Sequence, residues 1–363
     1  MSRLKQLPMS WKIFVLLQLL CLIGLFFIYE TSAVESFAVY GHQYFYLGRQ
    51  TQWYVVGMLA FLFGRFFPLS IWQKSAKYLF IGSLFSLLLV FVPGIGLEIN
   101  GAKRWVLIGG VSFQPVELFK MVLILYLSSW LTTHQRVAPF LASLVPIMLI
   151  LLLQPDFGSL LMVLFIALVL FFIAGGSIKQ FLMPGIIGFL ILVLAVVLTP
   201  YRLQRVRTFL NPESDPLGSS FQIRQITLAL GSGGWWGKGL GNSQQKFAFI
   251  PEASSDSIFA IIGEEIGFFG CIILLGLMLS YLTLIFRVGM NQKPGSFEQL
   301  LVIGFWAWSA GQVMLNLAAV VALVPLTGLP LPYFSYGGSS LVSLLLMNGL
   351  IVKLACESQS DKK

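Results

Sequence analysis

The chain has 363 residues, of which 57% are hydrophobic and only 10% charged, with a formal net charge of +9. A soluble domain carries about 25% charged residues, so this composition excludes an ordinary soluble enzyme and points to a polytopic membrane protein. The positive balance is explained by loop topology rather than by nucleic acid, because the basic residues sit mainly between apolar runs.

A bilayer core about 30 Å thick needs about 20 apolar residues per helix. Ten such runs lie near 11–29, 51–67, 76–95, 113–132, 138–153, 158–174, 180–199, 257–286, 297–325 and 339–355. The expected fold is all-α with about ten transmembrane helices. The first run, Trp11 to Tyr29, can span and lacks a small-residue cleavage site, so no cleavable signal peptide is expected. The fifth and sixth runs are joined by "QPDFG" and should form a tight helical hairpin.

Lys and Arg set the orientation. With the N-terminus inside, the cytoplasmic segments hold thirteen basic residues, the short outer loops three and the 200–256 segment six. Both termini are therefore expected to be cytoplasmic, in a single membrane domain over 1–363 with one large extracytoplasmic loop at 200–256. Cys21, Cys271 and Cys356 fall in or beside apolar runs without metal-ligand spacing or a disulfide framework. His42 and His134 lie far apart, which argues against a histidine metal site.

The first chemistry-bearing stretch is "NGAKRWVLIGGVSFQPVELFK". Asn100-Gly101 is a turn signal, Lys103 and Arg104 sit on the outer side, and Pro115 suits a first helical turn. Glu117 and Lys120 are an i, i+3 pair on one helix face. They could neutralise each other for insertion, or line an outward-facing charged cavity, which is the favoured reading. "QPDFGS" then places Asp156 at the outer end of the hairpin, on the same membrane face as Arg104.

The outer segment carries Arg202, Arg205, Arg207 and Arg224, which suit an anionic ligand or a lipid headgroup. Gly237-Lys238 resembles a phosphate-binding P-loop, but Ser232 and Gly239 break the pattern. The glycines there suit tight turns, with Trp235 and Trp236 as interfacial aromatics.

"PEASSDSIFAIIGEEIG" follows. Ser254 and Ser255 are good N-caps and put Asp256 in the first helical turn, where it could merely complement the helix dipole. Glu252 reads as a loop residue near the site. Glu264 and Glu265 should lie about 12–14 Å deeper at 1.5 Å per residue. They read as a buried structural pair with Lys120 as the natural basic partner. Finally "LTGLPLPYFSYGGSSL", with Ser335 and Tyr336, has no charge, and its backbone cannot lie bare in lipid. A re-entrant loop capping the cavity is expected.

Taken in order, "NGAKRW", "QPVELFK", "QPDFGS", "NPESDPLGSSFQ", "GKGLGNSQQKFAFIPEASSDSIFAIIGEEIG" and "GLPLPYFSYGGSS" resemble the SEDS family (shape, elongation, division and sporulation proteins). "GEE" and the "GLPLP…SYGGSS" ending are more similar to the division branch, FtsW, than to the elongation branch, RodA. "PEASSDS" departs from the division-type context around the acid but keeps the Asp.

The resemblance implies a peptidoglycan glycosyltransferase of the bacterial cytoplasmic membrane that polymerises lipid II at its outer face, in division or elongation. It implies a class B penicillin-binding protein and other division proteins as partners. The family's essential acid falls on Asp256. Its charged cavity residues fall on Arg104, Glu117, Lys120 and Asp156, with Arg202, Ser335 and Tyr336 as further substrate contacts.

A sugar hydroxyl needs a base, and a positioned carboxylate contributes about 10²- to 10⁴-fold. A pyrophosphate leaving group needs cations instead of a second acid, which basic residues or a divalent cation (Mg or Mn) could supply. Two readings from other classes stand beside it: a lipid II flippase or other transporter using the intramembrane charges, and a non-catalytic scaffold.

Overall fold

A computed structural model describes residues 7–99, 101–176, 178–211, 220–245 and 254–360. Among these residues a helix occupies each of the ten apolar runs. In chain order they are α1 (Met9–Tyr40), α2 (Phe45–Phe66), α3 (Leu69–Leu88), α4 (Pro115–Leu131), α5 (Val137–Leu153), α6 (Phe157–Ile173) and α7 (Ile178–Val197). Two further helices, α8 (Pro200–Leu210) and α9 (Phe221–Gly233), lie in the 200–256 segment. Then come α10 (Ile258–Met290), α11 (Phe297–Val320) and α12 (Gly338–Ser360).

Five of these, α1, α3, α10, α11 and α12, are long and apolar enough to cross a membrane by length and composition. Outward-facing side chains are apolar too: Leu59, Ile273 and Leu279 are each more than 60% exposed. In water such a surface would aggregate; in lipid it is solvated. The chain is a multi-pass membrane protein.

With no hydrophobic drive between helices in lipid, close approach and packing hold them together. The α2–α12 interface shows it, for a Cβ at Gly64 would meet Leu346 O and one at Gly349 would meet Phe61 O. Gln154–Asp156 join α5 to α6 in the expected tight turn, closed by Gln154 N to Ile150 O (3.0 Å) and Asp156 N to Leu151 O (3.1 Å).

The structure corrects the all-α expectation at one place. Residues 96–113 form an antiparallel meander, β1 (Gly96–Ile99), β2 (Ala102–Ile108) and β3 (Val111–Phe113), in the order β1-β2-β3. Ile108 pairs with Val111 across Gly109 and Gly110, whose φ values of 58° and 80° give the doubly left-handed two-residue turn that a hairpin favours. Asn100, read from the sequence as part of a turn, lies outside the described residues.

A second correction concerns α10, which is not one straight span. Gly267 has φ 66° and ψ −172°, a region open essentially to glycine alone. In a straight helix residues 263 and 271 lie about 12 Å apart. Here a Cβ built on Gly263 would lie 3.6 Å from Cys271 Sγ, so the chain folds back at Gly267. Rise along the helix therefore does not measure the depth of Glu264 and Glu265.

The fold-back would orphan helix-end groups, and residues 233–239 supply the partners. Lys238 N and Gly239 N donate to the carbonyls of Glu264 and Glu265 (2.9 and 3.1 Å). In return Phe268 N and Phe269 N donate to the carbonyls of Gly234 and Trp235 (3.0 and 3.2 Å). Trp235 and Trp236 are exposed there and pack on Phe268 and Phe269, as interfacial aromatics do.

Candidate active site

Asp256 lies in the turn 254–257 just before α10, whose N-cap is Ser257 without a side-chain cap bond. The expected placement in the first helical turn is corrected by two residues. Asp256 lines a chamber of about 440 Å³ together with Arg104, Arg205, Gln222, Tyr336 and Ser339. These come from β2, α8, α9 and the 321–337 segment with the start of α12, far apart in sequence.

Among the described lining residues Asp256 is the one acid, in company with two arginines. Burial pushes the Tyr336 phenol above its ordinary range, with the Arg49 charge pulling the other way. It therefore stands as a neutral hydroxyl in the chamber.

Arg104 and Arg205 also line a second cavity of about 340 Å³, walled by Phe157, Leu161, Val196, Leu315 and Val324. The polar chamber thus adjoins an apolar groove, with the two arginines common to both. Arg104 Nη2 donates to Pro155 O in the α5–α6 turn, and Arg205 Nη1 donates to Leu326 O (3.1 Å).

The other expected contacts lie elsewhere. Asp156 is buried as the N-cap of α6, accepting from Ser159 N (3.2 Å) and Ser159 Oγ (2.7 Å). It is a cap beside the Arg104 anchor, not part of the chamber lining. Glu117 and Lys120 are 1% and 0% exposed and pair with each other at 2.7 Å. They too stay behind the wall, because two charges on one apolar helix are cheapest when they satisfy one another.

Lys120 Nζ further donates to Gln312 Oε1 (3.2 Å) and sits 5.1 Å from the Trp308 ring centroid. Ser335 lies behind the chamber, donating to Ser255 O. The Arg202 side chain and Glu252 lie outside the described residues.

Glu264 and Glu265 are buried, as expected, but Lys120 is not their partner. Lys238 Nζ meets Glu264 Oε1 at 2.7 Å, and Ser243 Oγ donates to Oε2 at 2.6 Å. Ser232 Oγ and the amides of Gln244 and Gln245 complete the set at 3.2–3.3 Å. The carboxylate anchors the 232–245 loop.

Arg205, Gln222 and Ser339 are chamber residues that motif reasoning did not single out as substrate contacts. Arg205 had a signal in its basic segment, and Gln222 and Ser339 lie inside the quoted stretches "NPESDPLGSSFQ" and "GLPLPYFSYGGSS".

Comparison with known proteins fits this architecture. The FtsW/RodA/SpoVE family model, described as cell cycle protein, matches residues 10–360. Stage V sporulation protein E of Bacillus subtilis is 36% identical over 345 residues, 93% of this chain and 94% of that one. The probable peptidoglycan glycosyltransferase FtsW of Coxiella burnetii is 36% identical over 362 residues, 97% of each.

Among solved structures, a chain of a peptidoglycan synthase complex that coordinates polymerization and crosslinking matches with TM-score 0.79 at 31% identity, covering 96% of this chain and 98% of that one. The rod shape determining protein RodA of Thermus thermophilus matches with TM-score 0.69 at 28% identity, covering 96% of each. The chain belongs to the FtsW/RodA/SpoVE family of cell cycle proteins.

Proposed function

We propose that this protein is a peptidoglycan glycosyltransferase that polymerises lipid II into β-1,4 glycan strands at the outer face of the bacterial cytoplasmic membrane. The observation that carries the reading is Asp256, the one acid among the described lining residues, sharing a chamber with Arg104 and Arg205 where that chamber meets an apolar groove. A polyprenyl pyrophosphate sugar has the same three parts in the same order. Its tail suits the groove, its pyrophosphate the two arginines, and its sugar the neutral polar wall of Gln222, Tyr336 and Ser339. The relatives named as probable peptidoglycan glycosyltransferases support it.

Asp256 takes the proton of the acceptor 4-hydroxyl as that oxygen attacks the anomeric carbon of the donor. Arg104 and Arg205 hold the negative charge that grows on the departing pyrophosphate, so no second carboxylic acid is needed. One displacement inverts the centre, and an α-linked donor yields a β link. No group of three or more His, Cys, Asp or Glu side chains suited to a metal exists among the described residues. A divalent cation, Mg or Mn, carried on the pyrophosphate would add charge neutralisation, and among the described lining residues Asp256 is the carboxylate that would hold it.

The same proposal takes the ten helices as ten spans of one domain, with both termini cytoplasmic and the 200–256 segment outside, as the distribution of Lys and Arg favours. Its partners are a class B penicillin-binding protein and other division proteins; the match to a chain of a peptidoglycan synthase complex supports this.

The test is polymerisation of purified lipid II by the full chain with its partner. Wild type should make glycan strands and Asp256→Asn should make none. Full polymerisation by that variant would sink the role of Asp256. Lipid II translocation without polymer would favour the transporter reading, and intact cell division in Asp256→Asn cells the scaffold.

A further inference from the structure

The chamber wall at 329–336 supplies only part of its own hydrogen bonding, a turn in which Leu331 O accepts from Phe334 N (3.2 Å) and Ser335 N (3.0 Å). Its sequence, "LPLPYFSY", has prolines at 330 and 332, which carry no N–H. The carbonyls of Leu329 and Pro330, which that turn leaves over, find donors elsewhere. The donors come from two amides four residues apart on one face of α11, Gln312 and Asn316, both at most 2% exposed.

Gln312 Nε2 donates to Pro330 O at 2.8 Å. Asn316 Nδ2 donates to Leu329 O at 2.8 Å and, with its other hydrogen, to Asp256 O at 2.8 Å. The amide nitrogen is fixed on that side because both neighbours are carbonyl oxygens, which only accept.

The contact to Asp256 completes a series. Three consecutive carbonyls before α10 are each taken by a donor from the 329–336 wall or from α11. Ser254 O accepts from Tyr336 N (2.8 Å), Ser255 O from Ser335 Oγ, and Asp256 O from Asn316 Nδ2. Ser335 Oγ is itself oriented by accepting from Leu331 N (2.7 Å).

The wall is anchored in turn. Tyr333, at φ 69°, holds a left-handed conformation unusual for a bulky residue. Its hydroxyl lies 2.8 Å from Tyr281 Oη and 2.9 Å from Asn348 Nδ2. On the other side Gln312 Oε1 accepts from Lys120 and from Trp308 Nε1 (2.7 Å), which ties the buried Glu117–Lys120 pair to the same wall.

We propose that Asn316 is a positioning residue for the transferase reaction: its two N–H groups lock the Asp256 backbone to the 329–336 wall and so fix where the carboxylate stands in the chamber. This rests on the assignment of Asp256 as the base. Asn316 touches no substrate in this scheme and adds nothing to donor affinity. A serine could supply one donor and an aspartate none, so only a carboxamide makes both bonds at this length. Gln312 is its counterpart on the wall alone and acts on Pro330 without reaching Asp256.

The test uses the full chain in the lipid II polymerisation assay, with kcat and donor KM measured separately and thermal stability followed in the same detergent. Displacing a catalytic group by about 1 Å can cost about 10²-fold. Asn316→Leu should therefore lower kcat about 10- to 100-fold while donor KM stays within about twofold. Ser335→Ala, which cuts the neighbouring bond, should lower kcat less, and the double variant should fall short of the product of the two effects.

If Asn316→Leu does not fold, Asn316→Gln keeps the amide but shifts it by a methylene and should show the same split. Unchanged kcat in a folded variant, or a loss confined to KM, overturns the proposal. Asp256→Asn run alongside separates the two failures. If Asp256→Asn is inactive and Asn316→Leu is fully active, the positioning role falls and the reading of the active site stands. If Asp256→Asn is active, that reading falls.

Discussion

Removing either half of the Glu264–Lys238 pair should not cost the same. In Glu264→Ala the Ser243 hydroxyl and the Gln244 and Gln245 amides lose their acceptor. Ser232 keeps a second partner in Ala229 O, and the Lys238 side chain, 28% exposed, can turn to solvent. Two stranded amides at about 1–3 kcal/mol each, with one Ser243 bond lost, less the desolvation no longer imposed on the carboxylate, leave about 3 kcal/mol.

In Lys238→Ala the carboxylate keeps four donors, and the lost bond was partly solvated, so about 1 kcal/mol is expected. Hydrogen exchange at the Gln244 and Gln245 amides reads this directly. Every 1.4 kcal/mol is tenfold, so their exchange should quicken about 100-fold in Glu264→Ala and about tenfold or less in Lys238→Ala. Equal acceleration in the two variants, or none in Glu264→Ala, would refute the claim that this carboxylate organises the 232–245 loop.

Other outcomes follow from the same geometry. Gly267→Ala must place a Cβ on the backbone of Gly237 and Trp236, which cannot move aside, so folded yield in membranes should drop sharply; near-normal yield would contradict the fold-back. Arg205→Gln should raise donor KM about tenfold, and added inorganic pyrophosphate should inhibit it less than wild type; unchanged inhibition would remove Arg205 from the leaving-group site. Val324→Glu, in the apolar groove, should depress turnover of a long-chain donor far more than that of a short-chain analogue. Equal loss on both would mean that the groove does not take the tail.

The helices were legible because apolar runs of membrane length are a strong signal, and each run is helical. The meander was missed although its signals were present. Asn100-Gly101 and Gly109-Gly110 bracket the β-prone segment "AKRWVLI", yet its short strands carry no membrane-length periodicity. The break in α10 was masked for the opposite reason. Glycines at 263, 267, 270 and 276 interrupt the run, and composition alone does not say which of them bends.

At the site, Asp256, Arg104 and Tyr336 were placed by motif, and the structure brings them to one chamber. Asp156 and Glu117 sit away from the chamber lining because each has a partner three residues off, and Lys120 adds Gln312 and Trp308 of α11 to its pair with Glu117. Lys238 was lost for the reverse reason: its carboxylate lies 26 residues on, and no helical spacing connects them. Gln312 and Asn316 did carry a signal, two amides four apart in an apolar run.

The fold-back at Gly267 also bears on how the chain is made. Synthesis runs from the N-terminus, so residues 233–239 leave the ribosome before residues 264–269. The strip that caps the break is therefore delivered first and is waiting when the break emerges. A translocon handling residues 258–290 meets a segment apolar enough to insert as one continuous helix. Only the earlier strip makes turning back the cheaper choice. Exchanging the order of the two pieces, with every contact otherwise possible, would leave the helix ends without partners during insertion and favour a straight span.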